Sequence, residues 1–307
     1  MPEATATLAG SATSDYGNSN PEWLQIDWSR HLHRVELPGT EVDYVEIGEG
    51  EPIVFVHGIS GSWHNWLENL PHFARTHRAI ALNLPGFGSC PMPSWPIDMH
   101  SYGRFVHDFC EKLGIDRAAA LVGNSLGGLI AAEAVMSGPK RFERLVLVSA
   151  AGLINTWRPR ERGLITALAW DTGAAHVGGL ASTLVRRRGT RYLTFRAFIR
   201  HPNKLRPELL WEQVNSGVPC GGFSDALRTA IEYDARDRLA EIDIPTLLVW
   251  GSDDLIIPVH AGHSYERRIP GSRLEIFDDT GHVPQLERPA RFNALLDEFL
   301  SQGMDGG

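Results

Sequence analysis

A serine between closely spaced glycines offers the clearest chemistry in this sequence, because Gly123, Ser125 and Gly127 fit the pattern G-x-S-x-G. The apolar residues 118–122 predict a strand that ends just before the serine, and residues 126–136 predict a helix that starts just after it. A sharp strand-to-helix turn raises the hydroxyl above the sheet, and flanking glycines relieve the crowding. The helix N-terminus directs unpaired N–H groups at developing negative charge. We therefore predict that Ser125 is a nucleophile.

The elements that must position this serine alternate between strand and helix patterns. Residues 33–37 and 42–47 flank a Pro-Gly-Thr turn and predict an antiparallel hairpin. The continuous apolar run Pro52–Val56 predicts a strand that is buried on both faces. Further strands are predicted at residues 79–84, 118–122, 144–148, 246–250 and 273–277, and helices at residues 63–74, 100–113, 126–136, 259–268 and 290–300. This alternation implies βαβ crossovers and a mostly parallel sheet, typical of the α/β class.

Residues 152–242 interrupt the alternation, because they show helical patterns, as at 162–170 and 207–215, without a convincing buried strand. We predict that 152–242 form a helical cap between two parts of one core domain, residues 21–151 and 243–307, with residues 1–20 as a flexible tail. The cap is rich in aromatic side chains, which either fill its own core or line an apolar substrate pocket. The candidates for substrate contact are Trp157, Trp170, Phe195, Trp211, Phe223 and, in the core domain, Val283.

Composition excludes several functions. The 307 residues include 29 Lys and Arg against 37 Asp and Glu, a net charge of −8, so we expect no nucleic-acid partner. The most apolar long stretch, residues 118–136, is interrupted by Asn124, Ser125 and Glu133, so we expect no membrane span. The cysteines are widely spaced, which predicts reduced thiols in a cytoplasmic protein. These cysteines are Cys90, Cys110 and Cys220. The histidines do not have the spacing of metal ligands, and we expect neither a metal nor a cofactor.

Five segments, in this order, resemble the α/β-hydrolase superfamily and specifically its cap-bearing serine hydrolases. They are VFVHG (54–58), NLPGFGSC (83–90), LVGNSLGG (121–128), LLVWGSDDLIIP (247–258) and DTGHVPQLERP (279–289). The resemblance covers residues 35–301. It implies the α/β-hydrolase fold: a mostly parallel, eight-stranded sheet flanked by helices, with an inserted helical cap.

The resemblance also implies a Ser-His-Asp triad. It places the base at His282, and the pattern W-G-x-x-D-x-x-x-P places the acid at Asp254, with the adjacent Asp253 as the alternative. The chain order Ser125, Asp254, His282 is the one that this fold uses. In such a triad the imidazole accepts the serine proton, and the aspartate holds the ring in the right tautomer.

Two backbone groups complete the site that the resemblance implies. The N–H groups of Ile59 and Leu126 would form the oxyanion hole, and His57 would have a structural place in the HG turn. Asn83 stands where many relatives carry Asp, so the local polar network is expected to differ.

A basic run in the cap is either a solvated helix face or an anion-recognition patch. It comprises Arg186, Arg187, Arg188, Arg191, Arg196 and Arg200.

Asn124, the residue before the serine, is compatible with a second activity, the hydrolysis of carbon–carbon bonds. Asn124 is shared with relatives that cleave carbon–carbon bonds of meta-cleavage products. Those relatives usually carry a Trp after the catalytic histidine and a cap Arg that holds a substrate carboxylate. Here Val283 follows His282, and residues 209–217 contain no Arg. Ser125 excludes a haloalkane dehalogenase or an epoxide hydrolase, which need an aspartate at that position.

The sequence therefore predicts a serine hydrolase that cleaves carboxylic esters of small to medium acyl chain through an acyl-enzyme, with a small-molecule ester and water as its partners. The first alternative is a carbon–carbon bond hydrolase of 2-hydroxy-6-oxo-dienoates. The second is a non-catalytic small-molecule receptor on the same fold, which an intact triad disfavours. The sequence leaves open whether the chain forms a homo-oligomer.

Overall fold

A twisted sheet forms the centre of the computed structural model, which describes residues 16–153, 185–216 and 221–302. The strands are β1 (Leu32–Leu37), β2 (Thr40–Ile47), β3 (Pro52–Val56), β4 (Arg78–Leu82), β5 (Ala120–Asn124), β6 (Leu145–Val148), β7 (Thr246–Gly251) and β8 (Arg273–Phe277). They form an eight-stranded sheet in the order β1-β2-β4-β3-β5-β6-β7-β8. Strand β2 pairs antiparallel with β1 and β4, and every other neighbouring pair is parallel. The predicted fold and its amino-terminal hairpin are confirmed.

The apolar sequences of the central strands explain their burial. In β3 (Pro52–Val56), Val54 and Val56 belong to one apolar cluster, while Ile53 and Phe55 belong to another. Successive side chains of a strand point to opposite faces, so the two clusters lie on opposite faces of the sheet. Strands β5, β6 and β7 are buried along their whole length, as expected of parallel strands covered on both faces by helices.

The described α-helices are α1 (Leu70–Phe73), α2 (Met99–Lys112), α3 (Leu126–Ser137), α4 (Arg188–Phe195), α5 (Pro207–Ser216), α6 (Phe223–Glu232), α7 (Val259–Glu266), α8 (Pro284–Glu287) and α9 (Pro289–Ser301). The single helix predicted at residues 63–74 is wrong, because that segment divides into a 3₁₀ helix, Trp63–Trp66, and the short α1. Pro71 lies in the first turn of α1, where the missing N–H costs nothing, but it could not lie inside a longer helix.

The stretch between β6 and β7 carries α4, α5 and α6, although these two strands are parallel neighbours in the sheet. Within residues 149–153, 185–216 and 221–245, which the structure describes, this stretch contains no strand. The predicted helical pattern at 207–215 corresponds to α5, and the pattern at 162–170 lies outside the described residues. The domain boundaries that we assigned to the cap stay a prediction.

Residues 16–20, which we call the arm, lie against the core domain. The backbone N–H of Gly17 donates to the carbonyl of Glu287 at 2.7 Å, and the amide of Asn18 donates to the carboxylate of Glu68 at 3.1 Å. The first fifteen residues of the predicted tail lie outside the described part of the chain. None of the helices that the structure describes is both long enough and apolar enough to span a membrane.

Candidate active site

Ser125 occupies the turn between β5, which ends at Asn124, and α3, which begins at Leu126. Its backbone angles, φ 57° and ψ −116°, are unusual for a residue with a side chain. Such a conformation costs on the order of 1–3 kcal/mol and persists only where the surroundings enforce it. A Cβ at Gly127 would collide with the backbone oxygens of Val56 and His57, so only glycine fits there. The predicted strand-turn-helix setting of the serine is confirmed.

His282 and Asp254 form a buried pair on two neighbouring loops. His282 Nδ1 lies 2.8 Å from Asp254 Oδ2, and both side chains are almost fully buried. The other oxygen, Asp254 Oδ1, accepts the backbone N–H groups of Ile256 and Ile257, each at 2.8 Å. With Nδ1 donating to the carboxylate, Nε2 is the ring nitrogen that can accept a proton.

The alternative acid, Asp253, has different partners. Its carboxylate forms an ion pair with Arg200 at 3.2 Å and accepts the hydroxyl of Ser252 at 2.8 Å. The structure therefore places Asp254, and not its neighbour, on the imidazole of His282.

Asn124 connects the serine turn to residues 278–283, which carry His282 and which we call the histidine loop. Its side-chain amide donates to the carbonyl of Val148 at 3.0 Å and to the carbonyl of His282 at 3.3 Å. Strands β5 to β8 are parallel neighbours, so their carboxyl ends, after which Ser125, Asp254 and His282 come, meet at one edge of the sheet. The structure thus brings Ser125, Asp254 and His282 to the same edge.

The HG turn packs directly beside the serine. His57 Nε2 accepts the N–H of Leu84 at 2.9 Å, so Nδ1 carries the ring proton and donates it to the carbonyl of Gly58 at 2.7 Å. Burial lowers the pKa of His57 to about 4, which keeps the ring neutral. A Cβ at Gly58 would lie 3.2 Å from Cβ of Ser125. His57 therefore has the structural place that the sequence indicated.

Each predicted oxyanion donor lies at a position where its own helix or turn makes no use of its N–H group. Leu126 is the first residue of α3, where a backbone N–H has no partner within the helix. Ile59 is the second residue of a turn closed by the bond from the Gly61 N–H to the Gly58 carbonyl, which leaves the Ile59 N–H outside it. Ser60, the third residue, has φ 58°, as a type II turn requires.

Asn83 fixes the chain that follows this turn. Its Oδ1 atom accepts the backbone N–H of Trp63 at 2.8 Å, and its side chain is buried. An amide oxygen thus serves at the position where the resemblance implies Asp in many relatives. The change from Asp to Asn removes a buried negative charge and keeps the acceptor.

A buried carboxylate that the sequence analysis missed holds the histidine loop. Glu287 Oε1 accepts the backbone N–H groups of Gly281 at 2.9 Å and Val283 at 3.4 Å, the two residues that flank His282. Its Oε2 atom accepts the backbone N–H of Arg200 at 2.8 Å. Burial raises the pKa of Glu287. The available signal was an acidic residue five positions after His282, within the segment that carried the resemblance.

The residues that we predicted to contact the substrate differ in how far they are buried, and two of them lie outside the described part of the chain. Trp157 and Trp170 lie outside the described residues. Phe195 is buried in an apolar cluster of the core, whereas 36% of Trp211 is exposed. Phe223 begins α6 and is partly exposed, and Val283 is buried beside His282. The contact of these side chains with a substrate stays a prediction.

Two members of the basic run in the cap form contacts within the protein. Arg191 is buried, and its guanidinium donates to the carbonyl of Leu205 at 3.4 Å. Arg200 forms ion pairs with Asp253 at 3.2 Å and with Asp279 at 3.1 Å. Of the two alternatives for this run, the solvated helix face is wrong for Arg191, which is buried, while Arg200 is partly exposed and is paired with two carboxylates.

The fold and this site define the class of protein. A family model described as the alpha/beta hydrolase fold matches residues 51–289. The chain therefore belongs to the α/β-hydrolase fold family and is a hydrolase.

Two relatives illustrate the range of the family. The chain is 30% identical to the dihydrolipoyllysine-residue acetyltransferase component of an acetoin cleaving system from Cupriavidus necator, over 86% of this chain and 68% of the relative. It is 27% identical to the 2-hydroxy-6-oxo-6-(2'-aminophenyl)hexa-2,4-dienoic acid hydrolase of Metapseudomonas resinovorans, over 88% of this chain and 91% of the relative.

Solved structures give the same fold. An esterase from Exiguobacterium antarcticum matches with a TM-score of 0.73 at 23% identity, over 88% of this chain and 99% of that chain. An N-acyl homoserine lactone degrading enzyme matches with a TM-score of 0.69 at 29% identity, over 87% of this chain and 100% of that chain.

Proposed function

We propose that the protein hydrolyses carboxylic esters of small to medium acyl chain, with Ser125 as nucleophile, His282 as base and Asp254 as the acid of the triad. The observation that carries the proposal is the buried 2.8 Å contact between His282 Nδ1 and Asp254 Oδ2. It leaves Nε2 as the proton acceptor at the edge of the sheet where the strained turn presents Ser125.

The proposed reaction has two halves. Ser125 Oγ attacks the ester carbonyl carbon while His282 Nε2 takes the hydroxyl proton, and the carbonyl oxygen becomes an oxyanion. The N–H groups of Ile59 and Leu126 stabilise that oxyanion, and losing one such donor typically raises the barrier by about 3 kcal/mol. The intermediate then expels the alcohol, which takes the proton from His282. Water, activated by the same imidazole, releases the carboxylic acid and restores the serine.

Similarity to other family members supports this proposal. One structural neighbour at 29% identity is described as degrading an N-acyl homoserine lactone, and a lactone is a cyclic ester. We propose small-molecule esters and water as the reacting partners, no metal or cofactor, and the segment 152–242 as a cap over the site. Cys90 and Cys110 are buried and form no disulfide bond, which favours a reducing compartment such as the cytoplasm.

A carbon–carbon bond hydrolase is the second candidate. The observation in its favour is the similarity to a named 2-hydroxy-6-oxo-dienoate hydrolase over 91% of that relative's length. Against it, Arg200 already pairs with Asp253 and Asp279, and α5 contains no Arg that could hold a substrate carboxylate.

A panel of p-nitrophenyl esters with increasing acyl length tests the proposal against this candidate. We expect turnover of short and medium esters that exceeds turnover of a 2-hydroxy-6-oxo-dienoate, and its loss in Ser125→Ala. Ser29→Ala, which changes an exposed serine, serves as the control and should retain wild-type rates. Undiminished turnover in Ser125→Ala, or no turnover at any acyl length, would overturn the assignment.

A further inference from the structure

The arm reaches the histidine loop through one side chain. The hydroxyl of Tyr16 donates to Glu287 Oε2 and accepts the backbone N–H of His201 at 2.8 Å. The Tyr16 ring is fixed as well, because the guanidinium carbon of Arg288 lies 4.5 Å from its centroid. Tyr16 therefore contacts residues 198–201, which we call the cap segment, and also Glu287 at the end of α8, the helix that follows the loop of His282.

Glu287 is surrounded by hydrogen-bond donors. Its side chain is completely buried, and it accepts bonds from the N–H groups of Gly281, Val283 and Arg200 and from the hydroxyl of Tyr16. Both carboxylate oxygens thus act as acceptors, as those of an ionised carboxylate do. Bonds to a charged group are stronger than neutral ones, so this arrangement fixes the backbone on both sides of His282.

The cap segment, residues 198–201, contacts the same loop from another side. The N–H of His282 donates to the carbonyl of Phe198 at 2.7 Å. A Cβ at Gly281 would approach Phe198 O, Arg200 N and Glu287 Oε1 within 2.7–2.9 Å, so the cap segment and the loop meet in direct backbone contact. The backbone of His282 is therefore clamped between Glu287 and the cap segment.

We propose that Tyr16 and Glu287 are positioning residues for His282, and that they join the arm, the cap segment and the histidine loop into one brace. The proposal rests on the proposed function in one respect, since it takes His282 to be the base. The brace fixes the orientation of the His282 imidazole. Neither Tyr16 nor Glu287 touches the reacting atoms.

Tyr16→Phe removes one hydroxyl and keeps the ring. Glu287 then loses a donor, and the His201 N–H loses its acceptor. We expect the rate at which a fluorophosphonate labels Ser125 to fall about tenfold, since bonds to charged groups are worth about that factor or more. For ester turnover we expect kcat to fall by a similar factor and KM to change less than twofold, because a misdirected base slows the chemistry and leaves the pocket intact.

Glu287→Gln keeps the shape and replaces one acceptor with an NH₂ donor. In one orientation of the amide, that donor faces the N–H groups of Gly281 and Val283 in the loop, and in the other it faces the N–H of Arg200 in the cap segment, so a contact on one side of the clamp is lost in either case. We expect a larger loss than in Tyr16→Phe. The double variant should lose less than the product of the two single effects, because Tyr16 acts through Glu287.

Proton NMR of the full chain observes the imidazole of His282 directly. The proton on His282 Nδ1, which is bonded to Asp254, should give a low-field proton NMR signal. We expect that signal to broaden or shift in Tyr16→Phe and in Glu287→Gln. It should stay unchanged in Tyr44→Phe, which removes a tyrosine hydroxyl on β2 near the opposite edge of the sheet.

These measurements separate the brace from the proposed function. An unchanged signal and unchanged labelling in the folded Tyr16→Phe and Glu287→Gln variants would overturn the brace, while ester turnover by the wild type would still support the function. A wild type that turns over no ester, but whose signal changes in both variants, would overturn the function and support the brace. If Glu287→Gln does not fold, Tyr16→Phe decides, because its ring contacts are preserved.

Discussion

Two adjacent aspartates at the end of β7 (Thr246–Gly251) have different surroundings. Asp254 is buried and binds His282, while Asp253 is partly exposed and pairs with Arg200. A carboxylate on Nδ1 fixes the tautomer of the ring and stabilises the imidazolium that forms during attack. The two residues therefore form a natural pair of variants for testing the triad.

We predict that Asp254→Asn lowers kcat/KM by about 10⁴-fold, because the amide can hold the imidazole in the wrong tautomer. Asp253→Asn should lower it by less than about tenfold, since an exposed ion pair contributes little. Steady-state kinetics on a p-nitrophenyl ester measures both. Equal losses in the two variants, or the larger loss in Asp253→Asn, would show that the acid is wrongly assigned.

At the scale of elements, the turn between β5 and α3 depends on close backbone contact. Gly127, in the first turn of α3, packs against the backbone oxygens of Val56 and His57 at the end of β3. Helix and strand can approach this closely only where no Cβ stands between them. The glycine thus positions Ser125 relative to the HG turn.

We predict that Gly127→Ala destabilises the protein by about 1–3 kcal/mol, or more if the backbone cannot shift, and that it reduces labelling of Ser125. Gly189→Ala in α4 (Arg188–Phe195) is the matched control, because within the described residues the new methyl group meets no atom within 4 Å beyond its chain neighbours and the backbone of its own helix. That control should be neutral or stabilising by up to about 1 kcal/mol, since alanine favours helix. Urea unfolding gives both values, and equal stability of the two variants would refute the packing argument.

The strands and most helices could be predicted from the sequence because their apolar runs match the period of the element they form. The region 63–74 could not, because its apolar spacing suits one helix and only Pro71 reveals the break. Ser125, Asp254 and His282 came from patterns in known relatives. The role of Glu287 could not be predicted from the sequence, because a glutamate beside an arginine on a helix is usually exposed to solvent. Only the fold shows that Glu287 is buried.

On the scale of the whole molecule, buried carboxylates join segments that are distant in the chain. Glu133 on α3 is fully buried and accepts bonds from His100 on α2 and from Tyr233 and Arg238, which precede β7. Glu287 does the same for the arm, the cap segment and the histidine loop. Such contacts cannot be predicted from periodicity, because each partner is set by the tertiary fold.

Glu133 should make the free energy of unfolding depend on pH. Burial raises the pKa of Glu133, but hydrogen bonds from Ser137, Tyr233 and Arg238 outweigh burial and hold it below its usual value. A depressed folded-state pKa means that the unfolded chain binds the proton first as pH falls. The stability that the ionised Glu133 carboxylate contributes is therefore present above a pH of about 4.5 and is lost as the pH falls below that value.

We predict that Glu133→Gln costs about 2–4 kcal/mol at pH 7, because it removes a fully buried carboxylate that several side chains donate to and leaves Arg238 with the exposed carboxylate of Glu241 as its acidic partner. The difference from the wild type should shrink as pH falls below 4.5. Denaturant unfolding at several pH values measures it. A difference that is constant from pH 7 to pH 4 would contradict the assigned role.

The central claim is that Ser125 is an activated nucleophile. Its most direct test is mass spectrometry of the protein after reaction with a fluorophosphonate, with peptide mapping of the adduct. We predict one stoichiometric adduct on Ser125, formed quickly by the wild type and by Asp253→Asn but slowly by His282→Ala. An adduct on another residue, no adduct, or equal rates in the wild type and His282→Ala would contradict it.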